Sequence, residues 1–120
     1  MFTTIQIAGK DYDMNANAAT PIRYKAVFKK DFLTQMAAIE DVADPEVGTL
    51  CGEVAFIMNM SAQKANMATL TLDDYMEWLE GIDNPLAFIE SAPDILDFYV
   101  GTMDTMSESK KKTEEKAVVN

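Results

Sequence analysis

Imidazole chemistry is closed to this chain, because it contains no histidine. That removes Ser-His-Asp and Cys-His nucleophile systems and most catalytic zinc sites together. The lone cysteine, Cys51, lies in an apolar run and reads as a small buried hydrophobe rather than a reactive thiol. A single cysteine also excludes an intramolecular disulfide framework and suits a reducing compartment. The densest carboxylate group, Asp73, Asp74, Glu77 and Glu80, recurs at helical spacing. Paired catalytic carboxylates need an enclosed apolar setting to split their pKa values, and a solvated helical face does not provide one. The five glycines form neither GxGxxG nor GxxxxGK[ST]. Asp41, Asp44 and Glu46 lack the spacing and the glycine of a calcium loop. The expectation is a protein that is not an enzyme and holds no metal or cofactor.

The elements around these residues are a hairpin followed by helices. Phe2 to Ala8 alternates apolar and polar side chains, Gly9-Lys10-Asp11 supplies a turn, and Tyr12 and Met14 alternate again, so residues 2–17 read as a β-hairpin. Its free edge is one candidate interaction site. Thr20-Pro21 signals a helix start, with the threonine as cap and proline at the first position. Wound as one helix, Ile22, Ala26, Leu33 and Ala37 share a face with Phe28, Phe32, Met36 and Ile39 beside them, but Lys25 and Lys29 intrude. A bend near Lys29-Lys30-Asp31 therefore predicts two helices, about 21–28 and 31–41, with Asp31 capping the second.

Residues 46–66 carry the longest helical pattern, with Val47, Leu50, Cys51, Val54, Ile57, Met58 and Ala62 on one wide stripe and Phe56 and Met60 nearly opposite. A helix apolar on two sides is either central to the fold or carries a partner surface, and the central reading is preferred. Thr71-Leu72-Asp73-Asp74 is an acidic variant of a capping box and opens a helix with Leu72, Tyr75, Met76 and Leu79 inward and Trp78 beside them. Asn84-Pro85 starts another, Ser91-Ala92-Pro93-Asp94 interrupts it, and a last helix runs to Gly101. The fold class is mainly α with an N-terminal β-hairpin, an α+β arrangement of five to six helices. Residues 1–106 form one domain, and the charged tail 107–120 has no apolar stripe and reads as disordered. Of nine methionines, most are expected to fill core gaps and the rest to make adaptable surface.

Charge is distributed unevenly. Residues 1–39 hold five bases and three acids, whereas residues 40–106 hold fourteen acids and one base, Lys64. The net charge of −10 argues against nucleic acid, whose phosphates demand clustered Lys and Arg. No apolar run is long enough to cross a membrane and no signal-peptide pattern opens the chain, so a cytoplasmic setting is expected. Basic Arg23, Lys25, Lys29 and Lys30 and acidic Asp73, Asp74, Glu77 and Glu80 are candidates to join copies end to end. Such heterologous contacts build open spirals. Phe56, Met60 and Trp78 are candidates for an apolar partner surface.

The order of a hairpin with Ile5-x-Ile7-x-Gly9-Lys10, then Thr20-Pro21-x-Arg23-Tyr24-x-x-x-Phe28-x-Lys30-Asp31-x-Leu33, then an acidic helical body and a charged tail, resembles the tail assembly chaperones of long-tailed bacteriophages and prophages of Gram-positive hosts. The likeness rests on residues 1–40; beyond them only length, helix content and acidity agree. One departure is Lys29, where the resemblance leads us to expect glycine. It implies a non-enzymatic protein, many copies of which coat the apolar tape measure protein in the host cytoplasm. The coat keeps the tape measure soluble and extended until tail-tube subunits polymerise, and is absent from the mature virion. It further implies a longer product made by ribosomal frameshifting, through which the tail-tube protein would be engaged. The codons of Lys110-Lys111-Lys112 are the candidate slippery site. The alternative reading is a small acidic regulator or inhibitor that binds one basic partner. The apolar surplus of residues 46–66 and the basic opening stretch stand against it.

Overall fold

In the computed structural model, which describes residues 1–41 and 43–101, the elements follow in the order β1 (Phe2–Ile7), β2 (Lys10–Asn15), α1 (Thr20–Phe28), α2 (Phe32–Ala37), α3 (Pro45–Ala62), a 3-10 turn (Met67–Thr69), α4 (Leu72–Glu80) and α5 (residues 87–101). The α+β class holds, with five α-helices after the hairpin. The tail 107–120, with Lys110–Lys112, lies outside the described residues, as do Met103 and Met106.

β1 and β2 pair antiparallel, with Phe2 opposite Asn15 and Ile7 opposite Lys10. The turn is Ala8-Gly9, one step earlier than Gly9-Lys10-Asp11, and both residues have positive φ (52° and 81°). Two left-handed residues make the turn whose twist matches the strands. The sequence hides this, because alanine is a poor occupant of that position. With Ile7 and Lys10 closing the turn, Gln6 and Asp13 fall at positions whose carbonyls face out of the ribbon. Ser91 Oγ donates to the Gln6 carbonyl at 3.1 Å, and Asn59 Nδ2 donates to the Asp13 carbonyl at 2.9 Å. Both edges of the hairpin are thus met by helices of the same chain.

α3 is the axis of the molecule. Asp44 caps it by accepting from the Glu46 amide at 2.9 Å, and Pro45 occupies its first turn. Its buried residues run from Val47 to Asn59 with only Thr49 exposed, so no polar stripe remains. It ends four residues earlier than expected, at Ala62, where left-handed Lys64 lets the Ala65 amide close on the Met60 carbonyl at 3.1 Å. Ile5, Ile7 and Met14 from the hairpin, Tyr24 and Val27 from α1, Phe32 from α2 and Ala87, Ile95 and Tyr99 from α5 complete the core. At Gly52 an added Cβ would meet the Tyr75 hydroxyl at 2.9 Å and the Phe88 ring at 3.1 Å. A side chain there would push α4 and α5 off the axis.

The bend after Phe28 is present. Lys29 adopts a left-handed conformation (φ 60°), its amide closes on the Lys25 carbonyl at 2.9 Å, and α1 stops. Asp31 then caps α2, accepting from the Leu33 amide at 2.9 Å and the Thr34 amide at 3.4 Å. Four details differ from expectation. Ala19, not Thr20, is the residue before α1, and the Thr20 hydroxyl accepts from the Asn17 amide at 2.9 Å, outside the helix. Because the bend breaks the helical phase, the buried face of α1 is Thr20, Tyr24 and Val27, and Ile22 is 70% exposed. α2 is also shorter than 31–41. Finally, Pro93 does not interrupt α5: it faces solvent, while Ala92, Ile95 and Tyr99 anchor the helix on either side.

Candidate functional site

The chemistry-bearing groups are held in structural roles. Cys51 is fully buried, and burial pushes its thiol up to about 12, so it stays protonated and is not a ready nucleophile. Glu53 is 7% exposed on α3. It takes the Lys30 ammonium at 3.0 Å and the Tyr24 hydroxyl at 2.9 Å, which ties the α1–α2 bend to the axis. Burial, and then the Glu53 carboxylate, raise the Tyr24 phenol far above its ordinary value, so it remains a donor. Lys30 therefore belongs to this internal pair rather than to a contact between copies. Sequence reasoning missed Glu53 because one acid inside an apolar helix has no local signature; a lone carboxylate there was nonetheless the signal that a cation must reach it.

Asn59 is a second buried polar junction. Its amide donates to Asp13 in β2, and its oxygen accepts from Gln63 Nε2 and from the Trp78 indole, each at 3.1 Å. Trp78 fixes α4 to α3 by this bond and by its ring. It lies 5.5 Å from Phe56, 5.7 Å from Phe88, 5.8 Å from Tyr12 and 6.3 Å from Tyr75. Phe56 is 1% exposed. Phe56 and Trp78 are thus neighbours in one aromatic layer under α4, with Met60 half-buried at the margin of the core. They do not form an exposed partner surface: α4 covers the side of α3 that looked free in sequence. Tyr75 in the same layer has its phenol raised by burial and then by Glu53.

What lies open is elsewhere. A cleft of about 460 Å³ runs between the N-terminal end of α3, α4 and the start of α5, lined by Pro45, Gly48, Tyr75, Leu79, Phe88 and Ile89 among others. Gly48 shapes its floor, since a Cβ there would sit 2.7 Å from Ile89 Cγ1. Of the eight exposed large apolar side chains among the described residues, Ile89 lines this cleft, Leu86 lies in the turn into α5, Leu72 and Met76 lie on α4, and Ile22 and Leu33 lie on the basic side. Of the stripe expected to face inward, Tyr75 and Leu79 do so, with Trp78 beside them, while Leu72 and Met76 are exposed. Glu46, Glu80, Asp83 and Glu90, all exposed, flank the lining residues in sequence.

The charged candidates fall into two sets. Lys25 and Lys29 are exposed and Arg23 is half-buried, and none of the three makes an ion pair among the described residues. On α4, Asp74 is occupied by its capping box with Thr71, accepting from the Thr71 amide at 2.9 Å, while Asp73, Glu77 and Glu80 are exposed. Among the described residues no group of acids or cysteine could hold a metal ion, and no helix is long and apolar enough to cross a membrane. Neither a protein-family model, nor a curated protein, nor a solved structure matches this chain.

Proposed function

We propose that this protein is a non-enzymatic tail assembly chaperone of a long-tailed phage or prophage, acting in the host cytoplasm. Many copies would coat the tape measure protein, keep it soluble and extended for tail-tube polymerisation, and leave before the virion matures. The observation that carries this reading is the open apolar cleft, with Ile89 exposed on its wall and Leu72, Met76 and Leu86 exposed on the helix and turn that form it. Clustered exposed apolar side chains beside a cleft are costly in water and mark a surface that a partner covers. A tape measure protein, long and apolar, is such a partner. Exposed Lys25 and Lys29 on one side and Asp73, Glu77 and Glu80 on another, without ion pairs among the described residues, support assembly of copies along it. The tail-tube protein would be recruited through a longer frameshifted product.

Co-expression tests the proposal. Tape measure segments that aggregate alone should stay in the supernatant and co-purify with this chain at many copies per segment. A tape measure that remains insoluble beside abundant chaperone would overturn it, and stoichiometric capture of one basic enzyme would favour the acidic-inhibitor alternative. Tape measure and tail-tube genes are expected on either side of this one.

A further inference from the structure

We infer that the exposed face of α1 in one copy docks in the acid-flanked cleft of the next. This deepens the self-assembly part of the reading above and rests on that part alone. On α1, Ile22, Lys25 and Ala26 fall within about 100° of one another at 3.6 residues per turn, opposite the buried arc of Tyr24 and Val27, and Lys29 caps the helix just beyond them. All four are exposed, and Ile22, at 70%, is an aliphatic side chain held in water with a lysine one turn away. The cleft offers the complement: aliphatic and aromatic walls, room for an aliphatic side chain in about 460 Å³, and Glu46, Glu80, Asp83 and Glu90 next in sequence to its lining residues. Between residues 40 and 101 the sole base is Lys64, which sits at the far, C-terminal end of α3. Lys10 of the hairpin lines a neighbouring pocket with Asp83 and Glu90, so Glu46 and Glu80 are the acids left to an external cation.

Helix electrostatics point the same way. Glu77 and Glu80 occupy the C-terminal half of α4, where the helix dipole disfavours anions, and α4 has no basic residue in its last turn. An external cation placed there relieves the repulsion. Lys25 and Lys29, at the C-terminal end of α1, are spaced one turn apart to reach two such carboxylates while Ile22 enters the cleft.

Sedimentation velocity of the full chain across concentration and salt tests the inference. The protein should associate as concentration rises, and high salt should dissociate it because the charges are exposed and screened. Ile22→Glu should raise the dissociation constant about tenfold or more, as expected for loss of a central apolar anchor. Lys25→Glu/Lys29→Glu and Glu46→Lys/Glu80→Lys should each be monomeric alone and associate when mixed. All these side chains are exposed, so unchanged far-ultraviolet circular dichroism and melting temperature establish that each variant is folded. Wild-type chain that stays monomeric at low salt overturns the inference, as does association indifferent to Ile22→Glu or a mixture that fails to re-form. Association of the chain by this pattern without any capture of tape measure segments upholds the contact and sinks the chaperone reading instead.

Discussion

Of the eighteen residues of α3, twelve are buried; of the nine of α4, none is. The two helices touch along one aromatic layer, yet they solve opposite problems. α3 is apolar all round, so it can be stable only with protein on every side, and the hairpin, α1, α2, α4 and α5 supply that cover. Its two buried polar side chains are each matched: Glu53 to Lys30 and Tyr24, Asn59 to Asp13, Gln63 and Trp78. α4 is strongly two-faced and leaves Leu72 and Met76 in water beside three exposed carboxylates. The difference teaches where stability and where binding reside. Apolar surface satisfied within the chain lies on the axis, and apolar surface left over lies on the covering helix and the turn that follows it.

Breaking the axis should have the largest effect. Phe56→Ala removes a fully buried ring that packs on Tyr75 and Trp78, and is expected to cost about 3–5 kcal/mol in urea unfolding. A loss below about 1 kcal/mol would mean that Phe56 is surface, the second of the two readings its place in the sequence allowed. Asn59→Ala comes next, at about 2–3 kcal/mol, since it leaves the Trp78 indole and the Asp13 carbonyl without their partner. Its signature is that α4 loosens first: Trp78 fluorescence should become quencher-accessible at denaturant concentrations where the α3 amides still resist hydrogen exchange.

Tyr99 sharpens the contrast from inside the core. Its hydroxyl is buried beside Phe32 and is without a hydrogen-bond partner among the described residues. Burial, and then Asp31, push its phenol up to about 12 from an ordinary 10. Tyr99→Phe should therefore stabilise the protein by about 1 kcal/mol at neutral pH, because an unsatisfied polar group is removed. The native state holds this proton, and that of Cys51, more tightly than the unfolded chain. Stability from both is full below the unfolded values and is lost as pH rises from about 9 towards 12, where the unfolded chain ionises first. The advantage of Tyr99→Phe should accordingly widen in unfolding curves taken at alkaline pH.

The fold was legible where a local rule decides it. The Asp31 cap, the Thr71–Asp74 capping box and the apolar run of α3 are chemistry of near neighbours in the chain, and all stand in the structure. The partner surface was not, because exposure depends on which helix lies over which. Phe56 looked free until α4 covered it, and Ile22 looked buried until the bend rotated its face outward. The bend itself was readable from two lysines on an apolar face, but not its cost. Lys29 holds φ 60° without glycine's freedom, as Ala8 and Lys64 do at their turns. Lys29→Gly should raise stability by about 0.5–1 kcal/mol, the left-handed penalty relieved less the added unfolded-state entropy. If thermal unfolding shows a loss instead, the lysine stem packs to advantage on its neighbours.

The smallest effect on stability carries the most weight for the comparison. Leu72→Ser and Met76→Ser alter side chains that are 55% and 54% exposed, so each should shift unfolding by no more than about 0.5 kcal/mol. If α4 were only a cover for α3, nothing else would change. If its outer apolar pair borders a docking cleft, the double variant should keep its melting curve yet lose affinity, for a second copy or for a tape measure segment. Sedimentation and co-purification of the same preparation read the two out separately. Loss of stability without loss of association would place Leu72 and Met76 with α3 in the core's account, and the division between the two helices would fail at the residues that define it.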